Sequence, residues 1–270
     1  MRTATIVTFL LGAAALTAQD REFGVPVETT LTQVRAEPEA YKNVKVKFTV
    51  QFASLGKISN PFFTKFTPTD FTNFYSWADE QAIWRQDAYQ NLFGMLFLSK
   101  THEKLEQLYT LHTYDRIELT GIVRNTFQGE PWIEVTDFER QSGKLDTAVI
   151  THLYRGEKLM DQRMWQRAIA ELSLVPGAGV PPTAMGATYK NLGTCLLRIG
   201  EAGLATSYLQ SASTLAKGRD REVEDLLALA KVNPDQAIDR TVDSRTLKDH
   251  ERPMWEAFDD GKKVASQTMR

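Results

Sequence analysis

The chain contains a single cysteine, Cys195, among its 270 residues. A disulfide within the chain is therefore impossible, and its stability has to come from the burial of apolar surface. Cys195 lies among apolar residues in a segment with helical periodicity. This setting favours a buried, unreactive thiol over a nucleophile.

Sequence patterns that form catalytic and metal sites are also missing. None of the four histidines has a second ligand at zinc-like spacing, and no HExxH, GxSxG, GxGxxG or P-loop pattern occurs. Asp259, Asp260 and Gly261 lack the other ligands of a calcium loop. We therefore assign no catalytic residue, no metal ligand and no cofactor. An enzyme built from scattered residues remains an alternative.

An excess of charge of one sign is absent. Lys and Arg number 32 against 34 Asp and Glu, which gives a formal net charge of -2, and residues 25–145 contain 13 against 15. Nucleic acids and anionic membranes attract clustered cations, so this composition argues against both as partners. The many aromatic residues of 58–91 are then more simply explained as core and loop anchors than as base-stacking platforms.

Long apolar runs are missing except at the start of the chain. Arg2 precedes the apolar run Ile6–Leu16, and polar residues follow Ala18. This order is typical of a signal peptide over residues 1–18, and the run is short for a bilayer span, which takes about 20 apolar residues. An uncleaved anchor is the alternative. We expect an exported, periplasmic or secreted protein of bacterial type, without stable membrane insertion after cleavage.

Alternating residues predict strands in the first half of the chain. Apolar and polar residues alternate over 44–52, and Leu92–Leu98 is continuously apolar, as in a strand covered on both faces. A short helix is predicted at the start, over 31–41. A second helix over 103–112 precedes strands at 117–123 and 132–138, which are separated by a Gln-Gly-Glu-Pro turn.

This order of elements, with the stretch RIELTGIVRNTFQGEPWIEVTDF, resembles the OB-fold family over residues 25–145. The resemblance implies an all-β, five-stranded barrel with one helix. One barrel strand has to lie within 58–91, where we expect a long insertion with a loop and a short helix over 78–90.

Helical periodicity predicts hairpins in the second half. Apolar residues recur at spacings of three and four in 187–199 and again in 202–215, and Gly200 is placed to end the first of these helices. Gly156 and Ala168 have the same spacing as Gly193 and Ala205, 37 residues further on.

This spacing resembles the tetratricopeptide repeat (TPR), which has a period of about 34 residues, and the extra length matches the Gly- and Pro-rich connector 175–182. The resemblance implies a second, all-α domain of TPR-like hairpins over 150–235. A third amphipathic helix, 222–232, is expected to cap it and the barrel to support it. A charged tail, 236–270, contains Trp255 and Phe258, which either fold back on the helices or stay exposed.

The first helices of such repeats line a concave groove that binds peptides or helices. By resemblance, the partner-binding residues are Leu153, Glu157, Lys190, Thr194, Leu197 and Arg198. Leu153 and Glu157 stand where the clamp for a chain terminus has Lys and Asn, which argues against that mode. The alternative is that all six are only solvated helix positions.

The sequence therefore predicts a non-enzymatic, exported binding protein, an adaptor or assembly factor that contacts other envelope proteins or peptides through a TPR-like groove. The alternative is an OB-type module that binds an oligosaccharide, a single-stranded nucleic acid or an apolar ligand. In that case the helices are structural support.

Overall fold

The structure is a computed structural model that describes residues 24–57, 66–175, 177 and 179–232. The expected signal peptide, part of the 58–91 insertion and the charged tail with Trp255 and Phe258 lie outside these residues. Within them, no helix is both long and apolar enough to cross a bilayer.

The described residues form a β-rich part followed by helices. The first part consists of β1 (Val27–Glu28), α1 (Leu31–Ala36), β2 (Lys45–Leu55), β3 (Phe71–Ala78), α2 (Gln86–Gln90), β4 (Phe93–Ser99), α3 (Leu105–Tyr109), β5 (Arg116–Phe127) and β6 (Glu130–Arg140). The helices are α4 (Thr147–Asp161), α5 (Trp165–Leu172), α6 (Pro182–Ile199), α7 (Ala202–Leu215) and α8 (Arg221–Val232).

Five strands close into a barrel. The sheet order is β1-β2-β3-β4-β6-β5, and β2 also pairs with β5, which closes the ring. All barrel pairings are antiparallel except β4 with β6, and α3 connects β4 to β5. The predicted OB-like barrel is therefore confirmed. The two-residue strand β1 adds to it in parallel with β2.

The barrel interior is filled by the alternating residues that the sequence indicated on β2, joined by apolar residues of the other strands. This cluster includes Val46, Phe48, Val50, Phe52, Phe74, Leu96, Leu98, Ile117, Leu119, Ile133, Val135 and Phe138. Because side chains alternate across a strand, a one-residue slip would move each of them to the wrong face, so this core fixes the register.

The strand missing from the sequence prediction is β3, Phe71–Ala78. The predicted helix over 78–90 was wrong for most of its length: Ala78 ends β3 and only Gln86–Gln90 is α-helical. β3 shows little alternation because both of its faces are buried. Phe74 points into the barrel, whereas Tyr75 and Trp77 pack in the cluster shared with the helices.

Two of the predicted helices are shorter than expected. α1 ends at Ala36 because Pro38 disfavours helical geometry at Glu37, whose φ is -132°. α3 covers only Leu105–Tyr109, and just before it the ring Nδ1 of His102 accepts a hydrogen bond from the backbone N–H of Lys104 at 3.0 Å.

The helices pack as two antiparallel hairpins, α4 with α5 and α6 with α7, followed by α8. α6 begins at Pro182, a residue that we expected in the connector, because proline suits the first helical position. It ends at Gly200, which has a φ of 93° as expected for a left-handed C-cap. Arg163, 37 residues earlier, is also left-handed, with a φ of 59°.

Gly156 and Gly193 have equivalent surroundings. A Cβ atom on Gly156 would lie 2.5 Å from Leu172, and one on Gly193 would lie 2.5 Å from Leu209. Each leucine belongs to the second helix of its hairpin and is fully buried. The two glycines therefore let the helices of each hairpin approach closely.

One continuous core joins the barrel to the helices. Its residues from the barrel side are Ala53, Tyr75, Trp77, Ile83, Trp84, Tyr89 and Leu92. From the helical side they include Ile150, Leu153, Trp165, Ala168, Leu172, Leu192 and the buried thiol of Cys195. The outer face of β3 thus lies in this shared core, where Trp77 packs against Tyr89 and Tyr114.

The helix α6 offers a matched pair of glycine substitutions. Gly193→Ala should destabilise the protein by about 1–3 kcal/mol, because the new methyl group overpacks a close helix contact. Gly186→Ala should stabilise it by about 0.5–1 kcal/mol, since its Cβ would meet only Leu215, at 3.8 Å, and alanine favours helix. Urea unfolding measures both. Equal effects would contradict the packing described here.

Candidate binding cleft

A cleft of about 390 Å³ lies between the barrel and the helices. The segment 80–85, which follows β3, forms one wall, and α6 forms the floor. The C-terminal end of α7 and the start of α8 form the opposite wall. Its lining residues are Glu80, Ala82, Trp84, Arg85, Glu157, Pro182, Thr183, Gly186, Ala187, Lys190, Asn191, Ala212, Leu215, Ala216, Asp220 and Val223.

The barrel wall is fixed to α4 by the carboxylate of Glu157. Arg85 donates from Nε to Oε2 at 2.7 Å and from its terminal nitrogen to Oε1 at 3.0 Å. The indole N–H of Trp84 donates to Oε1 at 2.9 Å. Trp84 is only 2% exposed, so its N–H needs this acceptor.

The opposite wall is fixed to α6 by Lys190. Its ammonium group lies 3.2 Å from Asp220 and 2.7 Å from Glu222. Burial lowers the pKa of Lys190, but the hydrogen bonds to the two carboxylates and their charge outweigh this effect, so its pKa is raised above the usual value. Asp220 also accepts hydrogen bonds from the backbone N–H groups of Glu222 and Val223 at the start of α8.

The floor of the cleft has small side chains. Gly186 and Ala187 lie one turn before Lys190 on α6, and nothing closer than Leu215 faces the missing Cβ of Gly186. Leu215, which is 39% exposed, forms an apolar rim above it. The cleft therefore has an apolar rim at Leu215 and a floor on which a ligand can approach the helix backbone closely.

The structure brings two of the six predicted binding residues, Glu157 and Lys190, into this cleft. Asn191, which follows Lys190 on α6, donates from Nδ2 to Oε1 of Glu157 at 3.4 Å. Both belong to first helices of hairpins, as the sequence analysis expected. Both, however, have intramolecular partners rather than free charges.

The other four predicted residues lie elsewhere. Leu153 is fully buried in the core shared with the barrel, and Leu197 is buried against α7 and α8. The hydroxyl of Thr194 donates to the carbonyl of Lys190 in its own helix. Arg198 lies over the ring of Trp165, 5.8 Å from its centre. Leu153 is therefore not accessible to a partner in this fold.

Sequence reasoning missed Trp84, Arg85 and Asp220. Trp84 and Arg85 belong to the aromatic-rich insertion, more than 70 residues before the helix residue they contact. No periodic signal connects positions so far apart. The only hint was that a tryptophan next to an arginine in that stretch had no place in the predicted barrel.

A second cleft, of about 470 Å³, opens where β6 leads into α4. Its polar side chains are engaged in the fold. Arg116 forms two 2.7 Å hydrogen bonds to Asp79, and Arg140 bonds to the backbone and hydroxyl of Thr110. Its lining residues lie in loops and at the ends of β5, β6 and α4, so no single helix or sheet face forms a floor as α6 does in the first cleft.

The outer barrel face that OB domains use for ligands is closed in this chain. That face is formed by the second and third barrel strands, here β3 and β4. Asn73, Tyr75 and Trp77 of β3 are buried, and the ring of Phe97 on β4 is stacked on Phe66 with centres 4.2 Å apart.

Among the described residues, no group of three or more His, Cys, Asp or Glu is arranged to hold a metal ion. Comparison of the chain with protein-family models, curated proteins and solved structures found no match. The geometry of the cleft is therefore the basis for assigning a function.

The Glu157 carboxylate provides a test of this geometry. Glu157→Ala should destabilise the protein by about 1–3 kcal/mol, because the buried N–H of Trp84 loses its acceptor. Glu157→Gln, which keeps an acceptor oxygen, should cost less. Arg85→Ala should cost about 0–1 kcal/mol, since the Arg85 side chain is 58% exposed and its ion pair is screened. Denaturant unfolding would contradict the assignment if Arg85→Ala were the most harmful of the three.

Proposed function

We propose that this protein is a non-enzymatic binding protein, an adaptor or assembly factor for envelope proteins. It binds its partner in the cleft on α6, between the barrel segment 80–85 and the start of α8. The observation that supports this most directly is a shaped cleft on the inner helices, with a floor of small side chains and walls fixed by ion pairs.

We also propose that the hairpins are TPR-like. The equivalent packing of Gly156 and Gly193 supports this, as does the left-handed backbone at Arg163 and Gly200, each pair 37 residues apart. In this interpretation, α4, α6 and α8 are the helices that line the groove. Glu157 lies on α4, Lys190 lies on α6, and Asp220 directly precedes α8.

The absence of enzymatic activity is part of the same proposal. Catalytic acids and bases need pKa values near the working pH. In the cleft, the pKa shifts of Arg85 and Lys190 are both upward, away from neutrality, and result from hydrogen bonds to carboxylates. Arg85 and Lys190 are therefore better suited to holding the walls in place than to transferring protons.

The alternative function, an OB-type ligand module, has less support because Tyr75 and Trp77 on the outer face of β3 are buried. An oligosaccharide or a nucleic acid base would have to displace Tyr89 and Tyr114 to reach Trp77. The cleft on α6 requires no such rearrangement.

A photo-crosslinker tests the proposed site in cells. A benzophenone side chain at Leu215, on the rim, should crosslink to a discrete protein partner, whereas one at Leu204 should not. Both leucines are exposed on α7, but only Leu215 lines the cleft. Gly186→Gln fills the floor and should abolish the crosslink, whereas Gly186→Ala should retain it. Identical crosslinks from both leucines would contradict the proposal.

Export is proposed from the sequence of the first residues. Expressed in a bacterial host, the protein should be recovered outside the cytoplasm with an intact mass that begins at Gln19. Leu10→Arg interrupts the apolar run and should leave the precursor uncleaved. A cytoplasmic protein with Met1 retained would rule out cleavage at Ala18.

A further inference from the structure

We infer that the cleft on α6 binds an uncharged, extended peptide segment of about four residues with small and apolar side chains. This inference rests on the proposed function and specifies the chemistry of the partner. It follows from how the charges, the shape and the polar groups of the cleft are arranged.

The charged groups that line the cleft are already occupied. Arg85 is paired with Glu157, and Lys190 is paired with Asp220. The fifth charged residue, Glu80, accepts a hydrogen bond from the backbone N–H of Thr32 at 3.3 Å. The four charged residues of the two ion pairs therefore offer a ligand no unpaired cation or anion.

A charged ligand side chain would lose hydration in the cleft and gain little in return. The two ion pairs place opposite charges side by side, so their effects on an entering charge largely cancel. To form an ion pair with one of these groups, the ligand would first have to break a contact that holds a wall in place. Burying a charge without a partner is costly, so the cleft selects against charged side chains.

The dimensions favour an extended chain over a helix. The lining residues of α6 run from Pro182 to Asn191, which is about 14 Å along the axis and matches about four residues of extended chain. A helix with its side chains is about 10–12 Å across, so it would lie over the opening of a cleft of about 390 Å³, whereas an extended chain can enter it.

The surface of the cleft complements small side chains and a peptide backbone. Ala82, Ala187, Ala212 and Val223 provide apolar contacts without filling the space. The amide of Asn191 and the hydroxyl of Thr183 are polar lining groups that can donate to and accept from peptide bonds. Neutral groups of this kind recognise a backbone without requiring a charge.

A peptide library tests the inference directly. The probes are capped octapeptides whose four central positions each hold Ala, Val, Leu, Ser, Glu or Lys. They are mixed with the full-chain protein, and bound peptides are quantified by mass spectrometry against Gly186→Gln, with Gly186→Ala as the matched control. Peptides with four neutral central residues should be enriched about tenfold over those with one Glu or Lys, which corresponds to about 1.4 kcal/mol.

The neutral peptides should also bind almost independently of salt, because no charges are neutralised on binding. Enrichment of Glu- or Lys-containing peptides, binding that falls steeply with salt, or no enrichment at all would overturn the inference. The proposed function fails separately. If the Leu215 crosslink is lost in Gly186→Gln but maps to a charged segment of the partner, the cleft is the binding site and only the inferred chemistry is wrong.

Discussion

Within the shared core, a hydrogen bond from the indole of Trp84 to Glu157 fixes how the barrel part meets the helices. A tryptophan in this core requires an acceptor for its N–H, because an unsatisfied buried donor is costly. The acceptor is a carboxylate of α4, so the segment after β3 and α4 are held in one orientation. Arg85 offsets the charge that this carboxylate brings to a partly buried place.

The strands that alternation revealed are those with one partly exposed face. β2 alternates between partly exposed and buried residues over its first half, whereas β3 has apolar residues on both faces and shows no period of two. The outward Trp77 of β3 packs against Tyr89 and Tyr114, which come later in the chain. A local pattern cannot contain this information, so the strand was placed only as a gap in the order of elements.

The residues of the candidate site also fall into those that a local sequence pattern predicts and those that it does not. Glu157 and Lys190 were predicted because the spacing of 37 residues placed them on equivalent first helices. Leu153 was expected in an open groove because the hairpins were considered without the barrel, which buries it. The wall formed by Trp84 and Arg85 had no local signal. Periodicity thus finds the residues of a repeat, but it does not show what a neighbouring domain does to them.

The contacts that assemble the molecule also bear on the binding that we propose. Trp77 of β3 packs against Tyr89 and Tyr114, which buries part of the barrel face on which an OB domain binds ligands, so the proposed recognition surface is the cleft on α6. There, Arg85 and Lys190 use their charges to fix the two walls. Charges paired in this way are not available to a partner, so we expect recognition by shape, apolar contact and neutral hydrogen-bonding groups. Intramolecular pairing thus explains how four of the five charged residues that line the cleft offer a ligand no unpaired charge.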